Sequence, residues 1–477
     1  MGENFYESQL TILIFCCVLS LLVEHLFSRR KQASKEAADA RAENGGASNA
    51  TLLGRLTRQY LSIYALVMGA DWLQGPYIYS LYREQYKFPE RLVAVLFVTG
   101  FTAGAFTAPL VGAWADQYGR KKLCMAFCIT YTLTCACLFI PYLPILLTGR
   151  ILGGFSTSIL FSAFESWLIS SANSAGLPDS DLSRIMGRAS LVNGFVAAGA
   201  GVVSNQLVSS TQNFVSPFVL SGAILVLAWF VIAGSWSENY GSGGADTNTE
   251  TNIFQLARLS KAWTIARQDK VLLVLGLTQT CFEGSMYLFV FLWVPSLQEA
   301  SNSAHLPLGY IFSAFMISMM LGSLMYTAIT SYALSSTPPN ANTADNSLSL
   351  HAKLSSLVCA VSALALAASI SSQDEKIRFW CFCAFEACVG MYYPVQGMLR
   401  GSLISNEHRA TLSSLFRVPL NVFVVVSLLT GVSSARYAVL SASSGMLGLS
   451  AIMTGLIILN HADGYSTSKS RPLRGPP

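Results

Sequence analysis

The sequence predicts an all-α membrane protein: two six-helix bundles, twelve core helices in all, with one extra transmembrane helix ahead of them. Three observations carry the prediction. Only 12% of the 477 residues are charged, 52% are hydrophobic and the mean hydropathy is +0.48, whereas a soluble domain carries about 25% charged residues. Apolar runs recur thirteen times at the length of about 20 residues that a helix needs to cross a hydrocarbon core. The last six runs then repeat landmark residues of the six before them. A surface this poor in charge finds its natural cover in lipid. The net charge of +5 comes without a dense basic patch interleaved with aromatics, so no nucleic-acid partner is expected.

The first run, 9–27, is followed at once by Arg29-Arg30-Lys31 and has no basic stretch before it. That polarity is wrong for a cleaved leader and fits a retained anchor. With the charged, Ala/Gly/Asn-rich stretch behind it, this run makes a first region, 1–56. Runs at 57–79, 91–114, 123–142, 145–169, 187–208 and 215–236 make the first bundle, 57–236. Residues 237–270 are a polar linker that opens Ser-Glu-Asn-Tyr-Gly-Ser-Gly-Gly. It ends in an amphipathic run, Ile253 to Lys270, suited to a membrane surface. Runs at 271–294, 307–330, 351–371, 377–400, 412–432 and 436–460 make the second bundle, 271–460, and 461–477 is a tail.

Positive charge gives these helices a direction. If the end of the first run faces the cytoplasm, alternating loops carry about 22 Lys/Arg inside and about 6 outside, as the positive-inside rule requires. The inside set includes Arg120, Lys121, Lys122, Arg258, Lys261, Arg267 and Lys270. The amino terminus is then outside, and the linker and the tail are cytoplasmic. The sequon Asn49-Ala-Thr51 falls on the cytoplasmic side, so its glycosylation would invert the topology. The eleven cysteines all lie in apolar runs, where cysteine behaves as a small hydrophobe. Cys381, Cys383 and Cys388 lack the partner pair of a zinc site, and no metal or cofactor is expected.

The two halves read as copies. Phe161-Ser-Ala-Phe-Glu165-Ser matches Phe382-Cys-Ala-Phe-Glu386-Ala, Asp71 matches Glu283, and Arg188 matches Arg417, each pair in equivalent helices of the two bundles. Parallel six-helix repeats are a common build of secondary transporters. Ionisable groups inside a bilayer are expensive and face a cavity or a partner. Asp71, Glu165, Glu283 and Glu386 are therefore candidates for coupling or gating, since carboxylates in a desolvated pocket can exchange protons near neutral pH. Arg417 and Arg188 are candidates for holding an anion, because guanidinium is a planar fork suited to oxyanions. The plainer reading, that these charges pair to fix helix packing, stays open. Arg417 stands out because it lies inside an apolar run just before Pro419, which frees a carbonyl and invites a kink. Gly194, Gly199 and Gly201 suit a close-packed helix face. Tyr77, Tyr79, Tyr82, Tyr392 and Tyr393, near Pro76 and Pro394, suit an interfacial belt or a cavity lining. No phosphate-binding glycine loop, HExxH or nucleophile–His pair is present, so an enzyme is not expected.

The sharpest local motif is Gly112-Ala-Trp-Ala-Asp116-Gln-Tyr-Gly119-Arg120-Lys121-Lys122. Its glycines permit a tight turn, and Asp116 offers a carboxylate to a helix N-terminus or an arginine. This resembles the signature loop of the major facilitator superfamily, in the loop where that superfamily carries it. The resemblance implies the major facilitator fold and a conformational latch made by Gly112, Asp116, Gly119, Arg120 and Lys121. Gly149-Arg150-Ile-Leu-Gly153-Gly154 resembles a second superfamily motif; on position alone Arg150 is equally suited to snorkel to the interface.

A narrower resemblance rests on several blocks together. They are Ala70-Asp71 through Pro76-Tyr-Ile-Tyr79, Gly149-Arg150 through Glu165-Ser-Trp167, Phe282-Glu283 through Trp293, Pro307-Leu-Gly309-Tyr-Ile-Phe-Ser313, Gly390-Met-Tyr-Tyr-Pro394 with Arg400, and Phe416-Arg417-Val-Pro419-Leu. In all of them, over about residues 57–460, the chain is similar to the molybdate-anion transporters, a eukaryotic branch of the superfamily. The resemblance implies import of molybdate, a tetrahedral oxyanion dianion, with the plasma membrane as location; alternating access is the expected mode, Arg417, Arg188 and Arg150 are the candidate anion contacts and protons a candidate coupling partner. A carrier for another solute, such as a sugar, peptide or organic ion, and a non-transporting receptor on the same fold are the alternatives. Oligomeric state and selectivity between molybdate and sulfate have no sequence signal here.

Overall fold

The structure is a computed structural model and describes residues 2–39, 46–240, 264, 267–301, 305–335, 343–404, 409–430 and 436–461. Within those ranges some side chains, those of Asp116 and Arg417 among them, lie outside the description. So do most of the amphipathic run at Ile253 to Lys270, the side chains of the Asn49 sequon and nearly all of the tail. Among the described residues every regular element is helical. They are α1 (Gly2–Asp39), α2 (Gly46–Gln74), α3 (Glu90–Tyr118), α4 (Arg120–Cys137), α5 (Leu143–Leu160), α6 (Ala163–Ser174), α7 (Asp179–Thr211) and α8 (Ser216–Ser235). After these come α9 (Lys270–Ala300), α10 (Leu308–Ser335), α11 (Thr343–Ser371), α12 (Glu375–Leu403), α13 (Arg409–Thr430) and α14 (Arg436–Met453).

Local chemistry sets the ends. Helix α2 stops before Gly75-Pro76, where the proline ring cannot continue the ladder, and the chain resumes as one turn, Ile78–Ser80, and a π-helical turn, Leu81–Gln85. Asp269 caps α9 by accepting the amides of Val271 at 2.8 Å and Leu272 at 3.4 Å. Asp374 does the same for α12 with Lys376 and Ile377, as short polar side chains do for the orphan donors of a first turn. The run expected as one helix at 145–169 is instead two, α5 and α6. It breaks at Phe161-Ser162, where Ser162 adopts φ −128, ψ −58, after Ser156-Thr157-Ser158, whose hydroxyls bond back to helix carbonyls and weaken the helix there.

Nine spans among the described residues are long and apolar enough to cross a membrane: α1, α3, α5 with α6, α7, α8, α9, α10, α11 and α14. Helices α2, α4, α12 and α13 fall short of that test. Three of them carry clustered charge, including Asp71 in α2, Arg120 to Lys122 in α4, and Arg378, Glu386 and Arg400 in α12. In α13 only the shorter stretch Pro419–Thr430 is apolar. Helix α1 buries one stripe, Tyr6, Leu10, Leu13 and Cys17, and exposes Phe15, Leu19, Leu22 and Leu26. A stripe at this spacing is one helix face.

The chain divides into two compact units, Met1–Ile253 with Pro307–Ile317, and Phe254–Leu306 with Ser318–Pro477. In the first, α3 packs on α5, α4 on α5 and α8, and α2 on α7 and α8. The α3–α5 crossing is glycine-lined: a β-carbon on Gly154 would overlap the Gly100 carbonyl and lie 2.7 Å from the Gly104 nitrogen. Ser158 also donates to the Gly104 carbonyl at 2.9 Å. In the second unit α11 packs on α12 and α14, and α9 on α12, α13 and α14. There a β-carbon on Gly390 would overlap the Met319 carbonyl, and one on Gly322 the Ala387 carbonyl. Each unit thus brings two backbones together where no side chain fits, the small-residue packing of membrane helices.

Candidate functional site

In the first unit the buried polar groups gather around Tyr131. Its hydroxyl, carried by α4, donates to Oδ1 of Asp71 on α2 at 2.6 Å. Beside Asp71, Trp72 Nε1 donates to Asn193 Oδ1 at 2.8 Å, and Gln74 Nε2 donates to Ser221 Oγ at 2.9 Å. Arg150 on α5 also lies within electrostatic reach of the Tyr131 hydroxyl. Its guanidinium carbon stands 5.2 Å from the ring centre of Tyr82 and 4.8 Å from that of Phe97. A cation at this distance over a ring face is attracted by the ring quadrupole. Arg150 Nε and Nη2 are buried without a hydrogen-bond partner among the described residues. Sequence position alone left Arg150 suited to snorkelling; the structure places it between two rings instead.

In the second unit the charged groups gather near Tyr393 on α12. Glu283, Glu386 and Arg400 all lie within electrostatic reach of its hydroxyl, which donates to Met286 Sδ at 3.2 Å. Glu283 is buried on α9 and its Oε2 accepts from Gln279 Nε2 at 3.4 Å. Glu386 is buried on α12, one turn before Gly390. Beside the two carboxylates, Phe282 stacks on Tyr392 with ring centres 3.8 Å apart. Each unit therefore joins a tyrosine, at least one acidic group and an arginine in one neighbourhood, with Tyr131, Glu283 and Glu386 buried and Tyr393 exposed.

The other candidates stand apart. Glu165, in the first turn of α6, is exposed and within reach of Tyr60 and Tyr64. Arg188 is exposed on α7. Arg417 sits in α13 two residues before Pro419, with its side chain outside the described residues. In the loop motif, Gly119 adopts φ 105, a region that favours glycine, while Gly112 has open space around it. The N-terminus of α4 is capped by Glu238, whose carboxylate accepts the amides of Lys121 at 2.8 Å and Lys122 at 3.2 Å. The Asp116 side chain lies outside the described residues.

Sequence reasoning passed over Tyr131, Arg378 and Glu238, and left Arg400 without a role. Arg378, on α12, is only 2% exposed. It donates from Nε to the Ser369 carbonyl at 3.1 Å, from Nη2 to the Ser372 carbonyl at 2.8 Å and from Nη1 to the Ser296 carbonyl. Two of these acceptors are orphan carbonyls at the end of α11. A charge at the second position of the run expected at 377–400 was the available signal for Arg378. Among the described residues no three His, Cys, Asp or Glu side chains are placed to hold a metal ion.

A family model of sugar transporters with 12 TM segments matches residues 38–342. The molybdate-anion transporter of Xenopus tropicalis is 34% identical over 371 residues, 77% of this chain and 76% of that protein. The molybdate-anion transporter of Takifugu rubripes is 31% identical over 400 residues, 79% of each. Among solved structures, the POT family transporter PepTSo superposes with a TM-score of 0.64 at 13% identity, covering 86% of this chain and 98% of that one. The nucleoside transporter NupG does so at 0.62 and 11%, covering 85% and 99%. At such identities these two structures speak for the fold alone.

Proposed function

This chain belongs to the molybdate-anion transporter family of the major facilitator superfamily, and on that premise we propose that it imports molybdate across a membrane by alternating access. The observation that supports this reading is the pair of clusters around Tyr131 and Tyr393. An anion carrier needs a cation to offset the cargo's charge and groups that exchange protons as the cargo moves, and each cluster holds both kinds. Arg150, with two buried N–H groups unpaired, suits the first task, and Arg417 and Arg188 are the further anion contacts. Asp71, Glu283 and Glu386 suit the second, with Glu165 as an outlying gate. Gly112, Asp116, Gly119, Arg120 and Lys121 serve as the latch. No chemical conversion of the cargo is involved. The plasma membrane is the location, with the amino terminus outside and the carboxyl terminus cytoplasmic.

The test is molybdate uptake from nanomolar medium into cells producing the wild-type chain or Arg417→Ala, with sulfate as competitor and metal content as the readout. Loss of uptake in Arg417→Ala, partly restored by Arg417→Lys, supports the assignment; unchanged uptake removes Arg417 from the site. The description of the matching family model supports a second reading, a sugar carrier. Trans-inhibition by a sugar and none by molybdate would establish it.

A further inference from the structure

The residues that follow α8 fold back onto the inner ends of the first unit. Glu238 holds α4 by its first amides, Oε1 accepting from Lys121 at 2.8 Å and from Asn239 at 3.2 Å, Oε2 accepting from Lys122 at 3.2 Å. The contact is reciprocal: Lys121 Nζ donates to the carbonyls of Ala233 at 2.9 Å and Trp236 at 2.7 Å, at the end of α8. The Arg120 amide donates to the Asn239 carbonyl at 3.0 Å. Asn239 Nδ2 then reaches α6, donating to the Trp167 carbonyl at 3.0 Å and to Ser171 Oγ at 2.9 Å. Trp167 Nε1 returns a bond to the Ser237 carbonyl at 2.9 Å, and the indoles of Trp167 and Trp236 stack 3.7 Å apart. Trp236 Nε1 donates to the Gln59 carbonyl on α2 at 3.5 Å. Four helices are thus fastened by four consecutive residues, 236–239.

Glycine at 119 is what lets the carboxylate in. A β-carbon there would lie 2.5 Å from the Glu238 carboxyl carbon, and φ 105 disfavours any other residue. Anions are stabilised at a helix N-terminus by its free amides and dipole. A carboxylate accepting backbone N–H bonds there is a charge-assisted contact, stronger than a neutral one. The glycine of the signature loop and a glutamate 119 positions later therefore form one device.

We infer that Glu238 is a positioning residue for transport. It sets the turn between α3 and α4, and it fixes the chain entering residues 241–270 to the first unit, so that the inner ends of α2, α4, α6 and α8 move as one block. The inference rests on the transport reading above for its functional half only.

The experiment compares wild-type, Glu238→Ala, Glu238→Gln and Gly119→Ala chains, full length and reconstituted in lipid, by hydrogen exchange and by uptake kinetics. In Glu238→Ala the amides of Lys121 and Lys122 should exchange about tenfold faster, the effect of removing a charged acceptor. The maximal molybdate uptake rate should fall about fivefold at unchanged KM, as for a part that governs a conformational step. Glu238→Gln, which keeps an acceptor oxygen without the charge, should fall between. Gly119→Ala should release the carboxylate and reproduce the Glu238→Ala exchange pattern, which covers the case where Glu238→Ala does not fold. Unchanged exchange would overturn the clamp. Faster exchange with wild-type kinetics, or a raised KM at an unchanged maximal rate, would overturn the positioning role. A wild-type chain that takes up no molybdate sinks the function reading instead, and the exchange comparison still decides the clamp.

Discussion

Arg150 and Arg378 sit near the starts of α5 and α12, the fourth helices of the two expected bundles, and the protein treats them in opposite ways. Arg378 has each of its three guanidinium nitrogens bonded to a backbone carbonyl. Arg150 has two nitrogens buried with none and is held instead by the faces of Tyr82 and Phe97. A charge in a membrane protein is expensive unless it is paired or put to use. At this helix position the second unit uses its arginine to tie helix ends, while the first keeps one with two N–H groups unpaired. On the role proposed above for Arg150, burial and residue type do not separate a structural arginine from a working one. The count of satisfied donors does.

The largest effect should come from Arg378→Met, which strands three buried carbonyls and should cost about 3 kcal/mol or more. Thermal unfolding in detergent checks it, and Arg378→Lys should recover only part, since an ammonium lacks the planar fork. An unshifted midpoint would break the comparison at its second-unit end. Arg150→Met should be the converse: stability within about 1 kcal/mol of wild type, because ring contacts and electrostatic contacts to the Tyr82 and Tyr131 hydroxyls are lost while no backbone carbonyl is stranded, but molybdate uptake reduced more than about tenfold, the scale of a charge-assisted contact to cargo. Uptake left intact would make Arg150 as structural as Arg378. The smallest effect belongs to Tyr131→Phe, which removes the single bond to Asp71 and should cost about 1 kcal/mol. A shift in the pH dependence of uptake without loss of folded protein would sharpen the case for Tyr131 as the link between acid and arginine.

Much of the fold was legible because a bilayer imposes a length and a polarity that composition alone must satisfy. Each of the thirteen expected runs overlaps a helix among the described residues, nine spans there being long and apolar enough to cross a membrane, and the departure at Phe161-Ser162 lies where hydroxyl side chains compete for backbone carbonyls. Asp71, Glu283 and Glu386 could be picked out because a carboxylate in an apolar run is conspicuous. The acceptors of Arg378 could not, since a backbone carbonyl has no sequence signature. Glu238 was hidden for a similar reason. It stands in a polar stretch among other polar residues, and its partner amides lie more than a hundred positions away. The loop motif pointed to a carboxylate at a helix N-terminus and offered Asp116 for it; the one the structure shows there, Glu238, comes from the far end of the same unit.

The stacking of Trp167 on Trp236 has an optical consequence. Two indoles 3.7 Å apart and within 4° of parallel share their electronic transitions, so the pair should absorb and emit as a coupled dimer rather than as two lone chromophores. With eight tryptophans in the chain, the near-ultraviolet circular dichroism of this pair is separable by difference against Trp236→Phe. The end of the first unit where α4 begins thus carries its own chromophore, whose signal should hold steady while the four helices stay fastened and should change where Glu238→Ala loosens them.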